Sequence, residues 1–537
     1  MLFEAPHDGH CRGCDKPIAR GTRIAWQKGW EYTLHEACSD EGRARAAGLA
    51  ASYAHDSDLV IPAPEGLSYL PFQRAGIAFA LSRPEGIGCI FGDDMGLGKT
   101  CQALGVVNAS PDVRTVLIVC PSSLKFNWRN EAERWLVKEK EIQVDPEPFW
   151  QTSLETTPPI LRIQIINYEQ FDKALTPSSA YDIVIFDEAH YIKNPDSIRG
   201  KFARRAARRA KRVLCLSGTP IPNHVIDIFP LLQVCDPATW DPPGMVKGAQ
   251  VAQGFGAGLF PFAKRYCNAR KIQYGRGPGT KKFWDMTGSS NLDELHDRLR
   301  STIMVRRLKT DVLPELPDKR RQILALPPSA RDVALLEKER GLWSQISPDA
   351  LDVYDDWEEG VKKLSKQRGV LFEEISHAKK EVGLAKVPYV AEYVRACLDE
   401  GLEMGTKIIL FAHHEEVLDL LLEELRDYLP CVIRGYSDDA QRELAVKNFQ
   451  EDTDRRLFLG SIGAAGVGLT LTASSHVVFA EESWSHKDVS QCEDRAHRIG
   501  QKKSVLVTHI VFDGSMDANM MKKVLKKQEA AERALGG

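Results

Sequence analysis

The chain has 537 residues, 43% hydrophobic and 27% charged, with a formal net charge of −3. That length suits three to four domains of roughly 150 residues each, and no apolar run approaches the roughly 18–20 residues that a membrane span needs. The near-neutral balance does not announce a nucleic-acid binder, although a global average can hide a local basic surface. Residues Met1 to Asp8 lack a basic region followed by an apolar core, so no secretory signal is expected. Twelve cysteines are too few for a disulfide scaffold. Nine of them lie singly in apolar stretches, which suggests buried thiols in a reducing compartment.

The first unit spans residues 1–45. Cys11 and Cys14 form one pair, His35 and Cys38 a second, with twenty residues between the pairs. Three thiolates and an imidazole in two knuckles suit a closed tetrahedral Zn²⁺ site. A unit this small buries little core, so a metal would supply its stability. Two unrelated pairs are the bland alternative, and His7 or His10 could replace His35 as a ligand. Residues 46–64, rich in Ala and ending Ile61-Pro-Ala-Pro64, read as a linker.

From 65 to 320 short apolar runs alternate with helical stretches. Cys89–Phe91, Val116–Cys120, Ile163–Ile166, Ile183–Phe186 and Val213–Leu216 read as buried strands of a parallel sheet. Gln73 precedes the first of them; its amide carries enough donors and acceptors to read an adenine edge, or it is a plain surface Gln. The first strand runs into Gly92-Asp-Asp-Met-Gly96-Leu-Gly98-Lys99-Thr100. Backbone N–H groups of such a loop, opening a helix, can curl around phosphate oxygens. Gly96 and Gly98 allow the curl, Lys99 would reach the β- and γ-phosphates, and Thr100 would ligate Mg²⁺. The strict pattern wants Gly at the first position, where this chain has Asp93. The fourth strand ends in Asp187-Glu188-Ala189-His190. Asp187 would hold Mg²⁺ and Glu188 would polarise an attacking water; alone, the pair would be a solvated strand end.

Lys201, Arg204, Arg205, Arg208, Arg209 and Arg212 fall at helical spacing and predict one basic stripe on a helix. Its plain reading is a solvated face packed by its Ala side, its alternative a DNA-backbone or lobe contact. Residues 236–320 are irregular, and 321–385 read as a charged helical insertion. Strand signals return at Ile408–Phe411, Cys431–Ile433, Leu457–Leu459, Val477–Phe479 and Val505–Val511, in a unit from 386 to 537 that closes with a Lys-rich helix from Met516. The expected fold is α/β: two lobes with parallel sheets around a helical insertion, preceded by a small zinc-binding module.

The motifs, with Leu216-Ser217-Gly-Thr219-Pro-Ile-Pro-Asn223, Gly466-Val-Gly-Leu-Thr-Leu-Thr472 and Gln491-Cys-Glu-Asp-Arg495-Ala-His-Arg498-Ile-Gly-Gln501, resemble those of the Swi/Snf-type ATPases of helicase superfamily two. Cys120–Trp128, Ser290–Leu295 and Met304–Asp311 resemble the HARP-type annealing-helicase branch, although its accessory repeats have no counterpart before residue 60. The resemblance implies two RecA-like lobes, ATP as the nucleotide, and Arg495 and Arg498 inserted toward the γ-phosphate. Arg495 and Arg498 lie three apart and share a helix face. It also implies that Ser217 and Thr219 couple nucleotide state to DNA contact. Strand-end loops that include Ser122 and Gly466 would touch DNA. Trp484 would stack on nucleic acid or pack, packing being favoured. The stretch from Cys14 to Gly21 resembles treble-clef fingers of the PARP type, which implies DNA-end recognition, with protein docking as the alternative.

Together these readings predict a DNA-dependent ATPase acting as a monomer on duplex or branched DNA, without sequence reading and without a membrane. A strand-separating helicase would need a wedge, and none is identified. A non-catalytic DNA-binding scaffold fits poorly with intact Lys99, Asp187, Glu188 and Arg498. The expected location is the nucleus in a eukaryote, or the nucleoid-associated cytoplasm in a prokaryote or virus.

Overall fold

The computed structural model describes the chain apart from residues 1, 6–8, 12–15, 26–33, 36–38, 145–159, 172–179, 195–196, 219, 222–223, 241–243, 247–248, 252–257, 275–280, 346–360, 362–371, 403–404, 466–468, 485 and 522–537. The first lobe is built on seven strands: β1 (Cys89–Phe91), β2 (Thr115–Cys120), β3 (Lys140–Gln143), β4 (Leu161–Asn167), β5 (Tyr181–Asp187), β6 (Ala210–Leu216) and β7 (Met304–Val305). Their spatial order is β7-β1-β6-β5-β2-β4-β3, and every pairing is parallel. The second lobe has β8 (Lys319–Leu326), β9 (Ile408–Ala412), β10 (Cys431–Ile433), β11 (Leu457–Ser461), β12 (His476–Phe479) and β13 (Val505–Phe512), in the order β8-β13-β12-β9-β11-β10. It too is wholly parallel.

Apolar side chains on consecutive residues explain why both sheets are covered on both faces. In β5, Ile183 and Ile185 enter one core while Val184 and Phe186 enter the other. In β9, Ile409 and Phe411 face one core and Ile408, Leu410 and Ala412 the other. Because β1, β6 and β5 are neighbours and parallel, the loop after Phe91, Ser217 and Asp187 all emerge at one edge. The carboxyl ends of parallel strands are where such sheets gather ligands.

Four features differ from the sequence-based expectation. Residues Asp40–Tyr53 form a helix, α1, where a linker was expected from 46. Ser39 caps it by accepting from the Gly42 N–H at 2.8 Å. It packs on α2 (Leu292–Thr302) so closely that a Cβ on Gly48 would stand 1.9 Å from the Ser301 carbonyl oxygen. Ser52 donates to the Met304 carbonyl at 2.9 Å and accepts from Arg300, whose guanidinium stacks 3.4 Å from the Tyr53 ring.

The basic stripe does not exist as one helix face. Its helix stops at Ala207 because β6 begins at Ala210. Arg204 is buried, and Arg212 lies in β6, donating to the carbonyls of Ala80 and Arg83.

Residues 319–326, expected at the junction of the first lobe and a helical insertion, instead form the edge strand β8 of the second lobe. The insertion itself contains a helix from Ala330 to Gln345, and a second, Phe372–Glu400, runs without a break across the expected boundary at 385. Trp484 packs against Trp343 and Phe372.

The N-terminal unit is an antiparallel sheet of residues 2–4, 23–25 and 34–35 with a small core of Ala5, Cys11, Ile18 and Ile24.

Candidate nucleotide site between two lobes

The loop after β1 is shaped by two glycines in the left-handed region, Gly96 at φ 85° and Gly98 at φ 75°. A Cβ on Gly98 would lie 2.6 Å from the Gln73 amide nitrogen, and one on Gly96 would lie 2.8 Å from the Arg498 Cβ. Only glycine serves at either position. The helix that opens at Lys99 aims its first N–H groups into this curl. Thr100 sits in its first turn, and Gln73 braces it by donating to the Leu97 carbonyl at 3.2 Å. Gln73 also accepts from the Leu70 N–H at 2.9 Å, so its amide is engaged with protein at both ends.

Asp93, the departure from the strict loop pattern, has a structural reason. It is fully buried and accepts from the Arg307 backbone N–H and from the Gln102 amide, each at 2.9 Å. The Arg307 guanidinium stands 3.4 Å away. A charge buried with such partners is tolerated where a lone one is not. Next to it, Asp94 accepts from the Lys309 N–H at 3.1 Å.

Lys99 donates to the carbonyls of Asp93 at 2.8 Å and Asp94 at 3.1 Å. Burial lowers its pKa, opposed by Glu188, Asp93, Asp94 and Asp187. Asp187 is raised to about 6, first by burial and then by the Glu188 charge. Its carboxylate accepts from the Trp128 indole N–H at 2.7 Å, and its carbonyl accepts from the Tyr168 hydroxyl at 2.7 Å. Trp128 and Tyr168 are turned inward to hold this residue. Glu188 itself adopts φ 48°, which swings its carboxylate to within 3.2 Å of the His190 imidazole. His190 in turn stands 3.5 Å from the Ser217 hydroxyl. Ser217 is buried, whereas Ser122 is exposed at the carboxyl end of β2. Thr219 and Gly466 lie outside the described residues.

The second lobe completes the cleft. Gln491 reaches the Glu188 carboxylate at 3.5 Å. Arg495 and Arg498 both donate to the Leu469 carbonyl, at 3.2 and 2.9 Å. Burial and then the like charge of Arg495 push Arg498 down to about 10. Two cations thus lie together on one carbonyl, with Arg498 against the Gly96 turn.

Spacing gave no hint of one further residue. Lys309 lies in the segment Met304–Asp311, whose only sequence signal is its branch resemblance. It crosses to the second lobe, pairing with Asp494 at 3.0 Å and donating to the His497 carbonyl. Asp494 also pairs with Lys319 at 3.0 Å, and Glu493 with Lys319 and Arg321. The arginine-bearing segment is therefore pinned from both sides.

The residues fit a magnesium nucleotide. The positive-φ glycines leave room for phosphate, the lysine is held by backbone carbonyls, and two half-buried carboxylates lie side by side.

At the N-terminus, buried Cys11 accepts from the His35 N–H at 3.1 Å, so the two knuckles meet. Cys14 and Cys38 lie outside the described residues. Among the described residues no group of three or more metal-ligating side chains is found, and no helix is long and apolar enough to cross a membrane.

Residues 72–340 match the SNF2-related domain and residues 390–500 the helicase conserved C-terminal domain. The protein called DNA annealing helicase and endonuclease ZRANB3 of Homo sapiens is 33% identical over 480 residues, which are 87% of this chain and 40% of that one. The SWI/SNF-related matrix-associated actin-dependent regulator of chromatin subfamily A-like protein 1 of Xenopus tropicalis is 31% identical over 467 residues, 86% of this chain and 44% of that one. The chain thus spans less than half the length of these relatives. Among solved structures, the Sulfolobus solfataricus SWI2/SNF2 ATPase core in complex with dsDNA aligns at 19% identity and TM-score 0.39, covering 89% of this chain and 95% of that one.

Proposed function

The chain belongs to the SNF2-related family, and from that premise we propose that it is an ATP-hydrolysing motor that acts on duplex or branched DNA. The observation that carries the reading is the meeting of Arg495 and Arg498 from one lobe with the Gly96–Thr100 loop and Glu188 from the other. One relative's printed name speaks of DNA annealing, and we take the substrate here to be branched DNA, as in repair or replication. In a eukaryotic cell the protein would then work in the nucleus.

Bound ATP with Mg²⁺ would supply the phosphoryl group to be transferred. Lys99 would exchange the Asp93 and Asp94 carbonyls for phosphate oxygens. Thr100 and Asp187 would hold the cation, whose charge would return the Asp187 carboxyl to its ionised form. Glu188, steadied by His190, would orient the attacking water. Arg495 and Arg498 would neutralise charge on the γ-phosphoryl oxygens, in a cleft where water is scarce and such charges count for more. Because those arginines belong to the second lobe, hydrolysis requires closure and release permits reopening. The path Glu188–His190–Ser217 joins the water-orienting carboxylate to the segment expected to couple to DNA.

ATPase assays without DNA and with single-stranded, duplex and forked DNA test the reading, beside a strand-displacement assay. Duplex and forked DNA should stimulate more than a single strand. Stimulation by single strands only, with efficient unwinding, would favour the helicase alternative, and no stimulation the scaffold. For the N-terminal unit, Cys11, Cys14, His35 and Cys38 are proposed to hold one zinc, supported by the N–H···S bond between the knuckles. Elemental analysis should find about one zinc per chain, lost in C11A/C14A; equal metal content in both would remove the assignment.

A further inference from the structure

A cavity of about 1170 Å³ opens on the first lobe at the edge opposite the nucleotide loop. Ile87 and Ile303, which precede β1 and β7, lie in its wall, so it sits at the amino ends of the strands. The N-terminal unit and α1 overhang it. Among the described residues, five arginines line it, Arg23, Arg45, Arg83, Arg265 and Arg298, against two carboxylates, Asp236 and Glu294.

These arginines are held in place by ring stacking, hydrogen bonds and ion pairs. Arg298 lies 4.2 Å over the Trp240 ring and Arg83 lies 4.3 Å over Phe79. Arg83 donates to the Thr302 carbonyl at 2.8 Å, yet its buried Nε has no hydrogen-bond partner. Arg45 pairs with Asp297 at 3.3 Å and Arg265 with Glu294. Among the described lining residues arginines outnumber carboxylates, and their planar forks match phosphate oxygens. Trp240 is 5% exposed and roofed by Arg298, so no aromatic face is offered to a base.

We infer that this arginine-lined cavity is a second nucleic-acid seat, one that grips the phosphodiester backbone of a further DNA arm while the motor cleft engages the first. The inference rests on the DNA-motor reading. A seven-residue strand such as β5 spans roughly 20 Å, so the two sites lie on opposite edges of one rigid sheet. A straight duplex engages the cleft alone; a branched substrate offers a second phosphate track to the far edge. With no base contact, the seat is indifferent to sequence.

The test compares the affinity of the full chain for forked and for linear duplex DNA of equal length, by fluorescence anisotropy across a salt series. The variants are R83Q/R298Q and, because Arg83 also ties Thr302, R23Q alone at an exposed position. Fork affinity should fall by about tenfold or more in the double variant. The fork's log–log salt slope should shrink by about 0.9 for each phosphate no longer neutralised. Linear-duplex affinity and duplex-stimulated ATPase should stay unchanged. R23Q should show the same fork-only loss at smaller size. Equal weakening on fork and duplex, or no change on the fork in either variant, overturns the seat. A wild-type chain that no DNA stimulates defeats the motor reading instead, which keeps the two failures apart.

Discussion

Removing the Lys309 ammonium, as in Lys309→Met, tests whether closure is held by this side chain. Lys309 is anchored to the first lobe through its own N–H on Asp94, and its ammonium reaches Asp494 and the His497 carbonyl of the second. Methionine keeps the buried stem and deletes only the charge. Asp494 keeps Lys319 at 3.0 Å, so no carboxylate is left unpaired and the second lobe's fold is spared. The substitution removes one charge-assisted interaction between lobes, about 1.5–3 kcal/mol. Because the bond exists only when the lobes meet, that energy falls on the closed, hydrolysing arrangement. DNA-stimulated kcat should therefore drop by about 10- to 150-fold, at 1.4 kcal/mol per decade. Nucleotide affinity and melting temperature should hardly move, since the loop stays intact. Steady-state ATPase, nucleotide titration and calorimetry on the same preparation give all three numbers. An unchanged kcat, or a kcat loss matched by loss of folded protein, would refute the latch.

Lys99→Ala and Arg498→Ala should fail differently: the first should lose nucleotide binding and turnover, the second should bind ATP near normally while hydrolysis falls by about three orders of magnitude. Equal affinity losses in both would show that Arg498 is a binding residue. Asp517 is buried between Lys379 at 2.6 Å and Lys386 at 2.8 Å, and Asp517→Asn should cost about 3–5 kcal/mol. For a lobe of roughly 200 residues that lowers the melting temperature by about 6–20 °C, and a shift under about 2 °C would show that the triad relaxes freely. His509 is fully buried; burial opposes its charge, but Glu482 and then Glu493 outweigh it and raise its pKa to about 9. A raised folded pKa gives stability that is complete below the unfolded value near about 6.5 and lost as pH climbs through about 9. Denaturant midpoints should fall across that window, and His509→Gln should flatten the fall.

The sequence disclosed the parts whose physics is local. Strands buried on both faces, such as Ile183–Phe186 and Ile408–Phe411, betray themselves by unbroken apolar runs. Lys140–Gln143 and Lys319–Leu326 sit at sheet edges with one flank toward solvent, so their charged residues masked them. The helix at Asp40–Tyr53 looked like a linker because its Ala-rich, Gly48-containing run has little amphipathic signal; it is held by the Ser39 cap and by Ser52 and Tyr53 against Met304 and Arg300. The stripe from Lys201 to Arg212 kept helical spacing past Ala207, but pairing of β6 with β1 and β5 overrode it. Within the site, loop, carboxylates and arginines were legible as motifs, whereas Arg307 and Lys309 act on residues some 185 to 215 positions away, a relation no spacing rule reports.

The edge strand β8 also has a consequence for how the protein is made. Its parallel partner is β13, with Lys319 opposite Val505. At about 5–20 residues per second, roughly 10–40 s of synthesis separate the two. Throughout that interval the strand emerges with its backbone hydrogen-bonding groups unclaimed, a template for mispairing. Lys319, Arg320 and Arg321 at its head are the kind of charge that keeps such a template from recruiting a neighbour. Translation stalled before residue 505 would therefore leave a finished first lobe tethered to an unfinished second one, whose β8 has no sheet to join.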